Sequence, residues 1–279
     1  MSVVLITGCS SGFGKLAALE FARRGDKVFA SMRNTAKAAS LLDAAKTAGT
    51  ALQVIELDVN DSASIARAVE QVEKSAGAID VLVNNAGIGT HGPVEDFDDD
   101  EVLSIFSTNV FGVIRVTRAV LPSMRARKSG TIVTVGSLAG KVSAPFGGVY
   151  SASKHAVEAL SDALHYELHP FGIRVVLVEP GGFETEIQNN HLMPRRFNEG
   201  SPYVEFDRKF ADASRRLPGA GEPADAQDVA NVIVDAAKAD QPKRRYLVGN
   251  DATLIGGLHK QMSDEDFEKA MRTTLDFWE

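Results

Sequence analysis

Seven short apolar runs rich in β-branched residues alternate with stretches of helical spacing along almost the whole 279-residue chain. That alternation restricts the fold more than any other feature. The runs are 3–6, 27–31, 52–57, 80–83, 131–135, 174–178 and 245–248. Between them, Phe13, Ala17 and Phe21, then Ile65, Val69 and Val72, then Val157, Leu160, Leu164 and Leu168, and finally Val229, Val232, Ile233 and Ala236 recur at the spacing of one helix face. Residues 35–48 and 100–127 also read as helix. Strands joined by helical crossovers run parallel, and a parallel sheet is buried on both faces. The expected fold class is therefore α/β: a single domain with a doubly wound seven-stranded parallel sheet and helices on both faces. Residues 1–250 form the expected domain. Residues 251–279 form a helical tail packed on it, with a terminal helix over 264–277.

Size and composition permit a large core, with 44% apolar residues. The formal net charge of -7 argues against a nucleic-acid partner, because phosphate binding needs a surplus of Lys and Arg on one face. Cys9 is the only cysteine, so no intramolecular disulfide forms. No signal-like segment opens the chain and no apolar run has the length of a membrane span. The expectation is a cytoplasmic protein without membrane attachment.

Thr7-Gly8-Cys9-Ser10-Ser11-Gly12-Phe13-Gly14 follows the first run directly and opens the first helical stretch. Three glycines at that junction let the backbone turn tightly and approach a phosphate without a Cβ in the way. The helix start then offers free N–H groups and the positive end of its dipole to a pyrophosphate. Gly8, Ser10, Ser11, Gly12, Phe13 and Gly14 are the expected cofactor residues here. The second run ends Phe29-Ala30-Ser31-Met32-Arg33-Asn34. It lacks the acid that NAD-binding folds usually aim at the ribose 2′-hydroxyl. Arg33 would instead attract a 2′-phosphate, and the Ser11 hydroxyl can donate to the same group. The expected cofactor is NADP(H).

The Gly-x3-Gly-x-Gly spacing resembles the T-G-x3-G-x-G motif of the short-chain dehydrogenase/reductase family. The TGCSSG turn with an arginine after the second strand is similar to its NADP(H)-preferring members, including hydroxysteroid and retinol dehydrogenases. Further segments match in order over residues 3–250. Asp58-Val59 stands where the family's aspartate contacts the adenine amino group. Asn84-Asn85-Ala86-Gly87 resembles the N-N-A-G turn that lines the cofactor cleft. Pro180-Gly181-Gly182-Phe183-Glu184-Thr185 resembles the P-G-x3-T segment that holds the nicotinamide carboxamide. The resemblance implies a Rossmann fold with cofactor contacts at Asp58, Val59, Asn85, Ala86, Gly87, Pro180, Gly181, Phe183 and Thr185. It also implies a homodimer or homotetramer that pairs through the helices holding Asn109 and Lys154.

Tyr150 and Lys154 lie four apart at the start of a predicted helix and so share a face. Ser137 lies at the carboxyl end of the predicted fifth strand, where open α/β sheets bind ligands. Spacing alone does not bring Ser137 to Tyr150; the family's S…Y-x3-K arrangement implies that step, and also a contact of Tyr150 and Lys154 with the cofactor. Asn109 matches the family's helix asparagine, which holds a water that links the lysine to solvent. The implied reaction interconverts an alcohol and a ketone or aldehyde by hydride transfer. Tyr150 serves as acid or base, its ionisation favoured by the Lys154 ammonium. Ser137 stabilises charge on the substrate oxygen. A different use of the same fold is a non-catalytic NADP(H)-sensing regulatory module, against which the intact Ser137, Tyr150 and Lys154 set argues.

The stretch 181–226 breaks the rhythm with prolines and glycines, while Phe206, Phe210, Ala213 and Leu217 keep helical spacing. An insertion of that length is usually functional, and residues 186–226 read as a substrate lid. His91, Leu138, Val142, Phe146 and Leu192 are candidate substrate contacts, and the residue types suggest an apolar small-molecule substrate. Asp96, Asp98, Asp99, Asp100 and Glu101 lack a His or Cys at metal-ligand spacing; they read as acids at a helix start, and no metal is expected. Arg195 and Arg196 read as surface arginines, and Cys9 as a small packing residue.

Overall fold

The computed structural model describes residues 1–183, 191–221, 224–276 and 278. The strands are β1 (Val3–Ile6), β2 (Lys27–Met32), β3 (Gln53–Glu56), β4 (Val81–Asn84), β5 (Gly130–Val135), β6 (Ile173–Pro180) and β7 (Arg245–Val248). All pair in parallel, in the order β3-β2-β1-β4-β5-β6-β7. The helices are α1 (Gly12–Arg23), α2 (Ala39–Thr47), α3 (Ser62–Ala76), α4 (Asp99–Phe106), α5 (Gly112–Arg127), α6 (Gly148–Leu168), α7 (Val204–Ser214), α8 (Ala226–Lys238), α9 (Asn250–Gln261) and α10 (Asp264–Leu275). The seven strands fall on the seven apolar runs, with ends moved by one or two residues.

Successive side chains of a strand point to opposite faces of the sheet. Val4 and Ile6 join one buried cluster, with Phe21 of α1 and Val229 and Ile233 of α8. Leu5 joins the other, with Ile65 and Val69 of α3 and Val116 and Val120 of α5. Both faces are covered, which is why the central strands are apolar without alternation. No helix among the described residues is long and apolar enough to cross a membrane.

Three local expectations change. Residues 35–48 divide into a 3-10 turn, Thr35–Ala38, and α2. The helical stretch over 100–127 is interrupted by a π turn, Ser107–Phe111, which holds Asn109. The tail contains two helices, because α9 precedes the expected one. Gly256 and Gly257 lie inside α9, and glycine's low helix propensity hides it from pattern. Among the described lid residues, α7 realises the spacing of Phe206, Phe210 and Ala213, while Leu217 falls beyond its end.

Phe29 sits at 0% exposure in the middle of β2. Phe29→Ala should cost about 3–5 kcal/mol, read as a lower urea midpoint with the slope unchanged.

Candidate active site

The strand order reverses direction between β1 and β4, and the loops leaving those two carboxyl ends diverge. A cleft of about 470 Å³ opens there, where open α/β sheets take ligands. Gly8 (φ 74°) and Gly12 (φ 56°) turn the chain from β1 into α1. Thr7 and Asn85 tie this turn to the one after β4. The Thr7 hydroxyl accepts the backbone N–H groups of Asn85 and Ala86, each at 3.0 Å. Asn85 Nδ2 donates to Thr7 O at 2.9 Å and Gly8 O at 3.1 Å. Gly14 does not line the cleft. A Cβ there would stand 2.3 Å from Asn85 Nδ2 and 2.5 Å from Gly8 O, so its role is to let α1 pack onto the turn.

Ser11 stands at the cap of α1, yet its side chain makes no capping hydrogen bond. Its hydroxyl and the first free N–H groups of the helix remain available to an anion. Arg33 lines the same end of the cleft, is exposed, and makes no hydrogen bond or ion pair among the described residues. Asp58, Val59, Ala86, Gly87, Pro180, Gly181 and Phe183 also line it, with Ser10, Ser11, Gly12 and Phe13. Thr185 lies outside the described residues. Cys9 is buried, and burial pushes its thiol up, which suits the packing role.

α6 carries two of the candidate catalytic side chains. Tyr150 is in its first turn and is hydrogen-bonded to Ser137, just past the end of β5. Ser137 also accepts from Ala139 N at 3.1 Å, which starts the 3-10 turn Leu138–Gly140. Lys154 is 7% exposed, donates to Val135 O at 2.9 Å, and holds its Nζ 5.7 Å from the Tyr150 ring centre. The expected lowering of the Tyr150 pKa by this ammonium is corrected. Burial raises it, with only the Ser137 hydrogen bond opposing. Desolvation lowers Lys154 to about 8, with the Glu158 carboxylate pulling the other way.

Asn109 is 2% exposed. Its Nδ2 donates to Ile88 O at 2.9 Å and Ser153 Oγ at 3.1 Å, and its Oδ1 accepts from Ile88 N at 2.9 Å. Both N–H donors are committed to protein. The side chain clamps the segment after the Asn-Asn-Ala-Gly turn onto α6 instead of presenting a free amide to water.

A second cavity, of about 510 Å³, adjoins the first. Ser137, Tyr150, Gly181 and Gly182 line both. Leu138 and Val142 line the second as expected. The remaining substrate candidates line neither. Leu192 packs in an apolar cluster with Phe97, Ile105 and Val149. Its backbone bridges to Thr90. His91 is bonded to Asp207 at 2.8 Å. Phe146 is 6% exposed and packs among His91, Phe197, Phe206 and Phe210. These three candidates fasten the lid rather than face the cavity. Phe146 holds φ at 61° to do so, an uncommon conformation for a bulky residue.

Pattern reading missed the far wall of the second cavity. Ile255, Phe267, Met271, Leu275 and Trp278 all come from the tail. Asp251, also from the tail, accepts from Gly182 N at 2.6 Å and fixes the Pro180-Gly181-Gly182 turn. The acidic cluster and the two arginines prove to be each other's partners. Arg195 pairs with Asp98 at 3.0 Å and Asp100 at 2.9 Å, and Arg196 with Asp98. Asp98 and Glu101 also form a capping box on α4. Among the described residues, no group of three or more His, Cys, Asp or Glu is placed to hold a metal.

Comparison with known proteins gives the family and agrees with the fold. The profile of the short chain dehydrogenase family matches residues 2–195. Human 17-beta-hydroxysteroid dehydrogenase type 1 is 37% identical over 253 residues, 88% of this chain and 76% of that protein. A short-chain dehydrogenase from Streptomyces avermitilis superposes with a TM-score of 0.80 at 35% identity, covering 98% of both chains. A gluconate 5-dehydrogenase from Burkholderia cenocepacia, solved with NADP and tartrate, gives 0.75 at 27% identity, covering 91% of this chain and 95% of that one. The chain belongs to the short-chain dehydrogenase family, oxidoreductases that act on alcohol and carbonyl groups with NAD(P)(H).

Proposed function

We propose that this chain is an NADP(H)-dependent oxidoreductase that interconverts a bulky apolar alcohol and its ketone or aldehyde. The observation behind this is the partition between two cavities. The dinucleotide-sized cleft and the apolar chamber meet at Ser137 and Tyr150, so a hydride donor and a carbonyl placed on either side would touch at those hydroxyls. When bound, the nicotinamide supplies or accepts the hydride.

The chain's own residues handle the proton and the charge. The Tyr150 phenol, pushed up by burial, stays protonated through neutrality and is ready to donate to a carbonyl oxygen during reduction. Ser137 places a second donor on that oxygen, where negative charge develops. Lys154, as an ammonium, fits the ribose hydroxyls beside Tyr150 and returns a proton towards the phenol. A relay water at Asn109 would rest on the main-chain carbonyl in the π turn, since the amide N–H groups are occupied. π turns are frequent at such sites.

Preference for NADP(H) follows from Arg33 and Ser11, a free guanidinium and an uncommitted hydroxyl where an acid would otherwise stand. The lid from 186 to 226 and the tail from 251 to 279 would enclose the substrate. Ile255, Met271, Leu275 and Trp278 give the chamber an apolar wall. That wall suits the hydroxysteroid class named for the human relative.

Tyr150→Phe should lower kcat about 10²–10⁴-fold while NADPH still quenches or enhances fluorescence on binding. Full turnover in that variant would refute the mechanism. Arg33→Asp should weaken NADPH about 10–100-fold, the worth of a hydrogen bond to a charged group, and leave NADH unchanged or better. Initial rates with each cofactor decide it. Carbonyl reduction should hold a plateau below about pH 8 and decline above it. Lys154 keeps its proton only below its lowered pKa of about 8, so its positive charge is lost as pH rises.

A further inference from the structure

Two glutamates beside the candidate site are buried around the same pair of cations. Glu179 on β6 is 1% exposed and Glu158 on α6 is 8% exposed. Both carboxylates reach the same two cations, Lys141 Nζ and Arg245 Nε, within 3.7 Å, which sets them against each other. On each, Oε1 is buried without a hydrogen-bond partner. Two ionised carboxylates have four acceptor oxygens and no donor. Their contact is a hydrogen bond only if one carries a proton.

The surrounding cations say which one. Lys141 Nζ stands 2.5 Å from Glu158 Oε2 but 3.4 Å from Glu179 Oε1. Arg245 Nε stands 3.0 Å from Glu158 and 3.7 Å from Glu179. Arg245 is further drawn to Asp162, at 2.6 Å, and Asp162 also holds Arg244. Glu158 therefore receives the close charge-assisted hydrogen bonds, and Glu179 receives neither at good distance.

Glu158 lies one helical turn beyond Lys154, which itself lies one turn beyond Tyr150. It also touches the turn that carries Ser137. A Cβ at Gly140 would stand 3.1 Å from Glu158 Cγ and 3.1 Å from Lys154 O. The buried pair thus borders both arms of the reactive group.

We propose that Glu179 is a neutral carboxylic acid donating its proton to Glu158, and that the single negative charge so fixed on Glu158 is a positioning charge that keeps buried Lys154 an ammonium. Lys154 donates to a neutral carbonyl, Val135 O, and among the described residues no carboxylate pairs with it directly. Burial raises Glu179 to about 8, with Glu158 adding to the rise and Lys141 opposing it, which agrees with the distances. As pH climbs past that point the pair would gain a second negative charge; below it, one negative charge remains.

This rests on the role of Lys154 proposed above, and the experiment has two arms that separate the claims. In the first, infrared spectra of the wild-type protein are taken across pH and compared with Glu179→Gln. A carboxylic-acid carbonyl band present at neutral pH, fading above about pH 8 and missing from Glu179→Gln, supports the shared proton. Absence of a band that Glu179→Gln removes overturns it. This arm needs neither turnover nor cofactor.

In the second arm, the pH midpoint at which NADPH binding weakens is measured by fluorescence. Glu158→Gln/Glu179→Gln, in which neither side chain can ionise, should move that midpoint down by about one unit, because the ammonium loses its supporting charge. Glu179→Gln alone, whose amide still donates to an ionised Glu158, should move it by less. An unmoved midpoint in the double variant, or equal shifts in both variants, overturns the positioning claim. A wild-type protein that shows the acid band but binds no NADPH would sink the functional reading and leave the shared proton standing.

Discussion

Parallel strands all end on the same edge, so whatever follows each strand is delivered to one side of the sheet. The rest of this molecule depends on that constraint. The glycine turn after β1, Arg33 after β2, Asp58 after β3, the Asn85 turn after β4, Ser137 after β5 and Gly181 after β6 are far apart in sequence, yet all line one cleft. Reversal of strand order between β1 and β4 gives the cleft its depth. Thr7 and Asn85 close the gap between those two strands with four hydrogen bonds, so the cleft floor and the sheet's central seam are one piece of structure.

This explains what could be read from the residues alone. The strands were legible because burial on both faces leaves an apolar run with no alternation to confuse it. The place of the glycine turn and of Arg33 at the cleft was legible because each directly follows a strand whose end faces it. The apposition of Ser137 and Tyr150 was supplied by family resemblance and is present in the fold. The substrate side was not legible. His91, Phe146 and Leu192 have the right polarity and the right position in the chain, but side-chain packing turns them into the lid's fastening. The chamber wall comes from α9 and α10, and a helix with Gly256 and Gly257 in its middle offers no periodic signal. The pairing of Arg195 and Arg196 with the acids at 98 and 100 joins segments nearly a hundred residues apart, which no local pattern records.

Electrostatics was the other place where local reading fell short. A lysine one turn from a tyrosine suggests a phenol with a lowered pKa, as it would be near a surface. Here both groups are withdrawn from water, and desolvation disfavours each charged form. The phenol goes up and the ammonium goes down. Both shifts suit a proton donor for reduction. The phenol keeps its proton at neutral pH, and the lysine is near enough to its own titration to exchange one.

Helix α6 brings these effects together. Tyr150, Lys154, Glu158 and Asp162 follow one another at four-residue spacing on a single face. That face passes from the mouth of an apolar chamber, through a buried cation, to a carboxyl pair, and ends at arginines near the surface. A buried ammonium in a protein interior needs a compensating charge close by. A lone anion placed there would need compensation in its turn. By sharing one proton between two acids and setting Lys141 and Arg245 against the nearer one, the fold settles the charge without placing an anion against the reacting oxygen. The distance of one helical turn is the useful part of the arrangement. It is short enough for Glu158 to act on Lys154, and long enough to keep negative charge away from the hydroxyls where a substrate oxygen must gain its own.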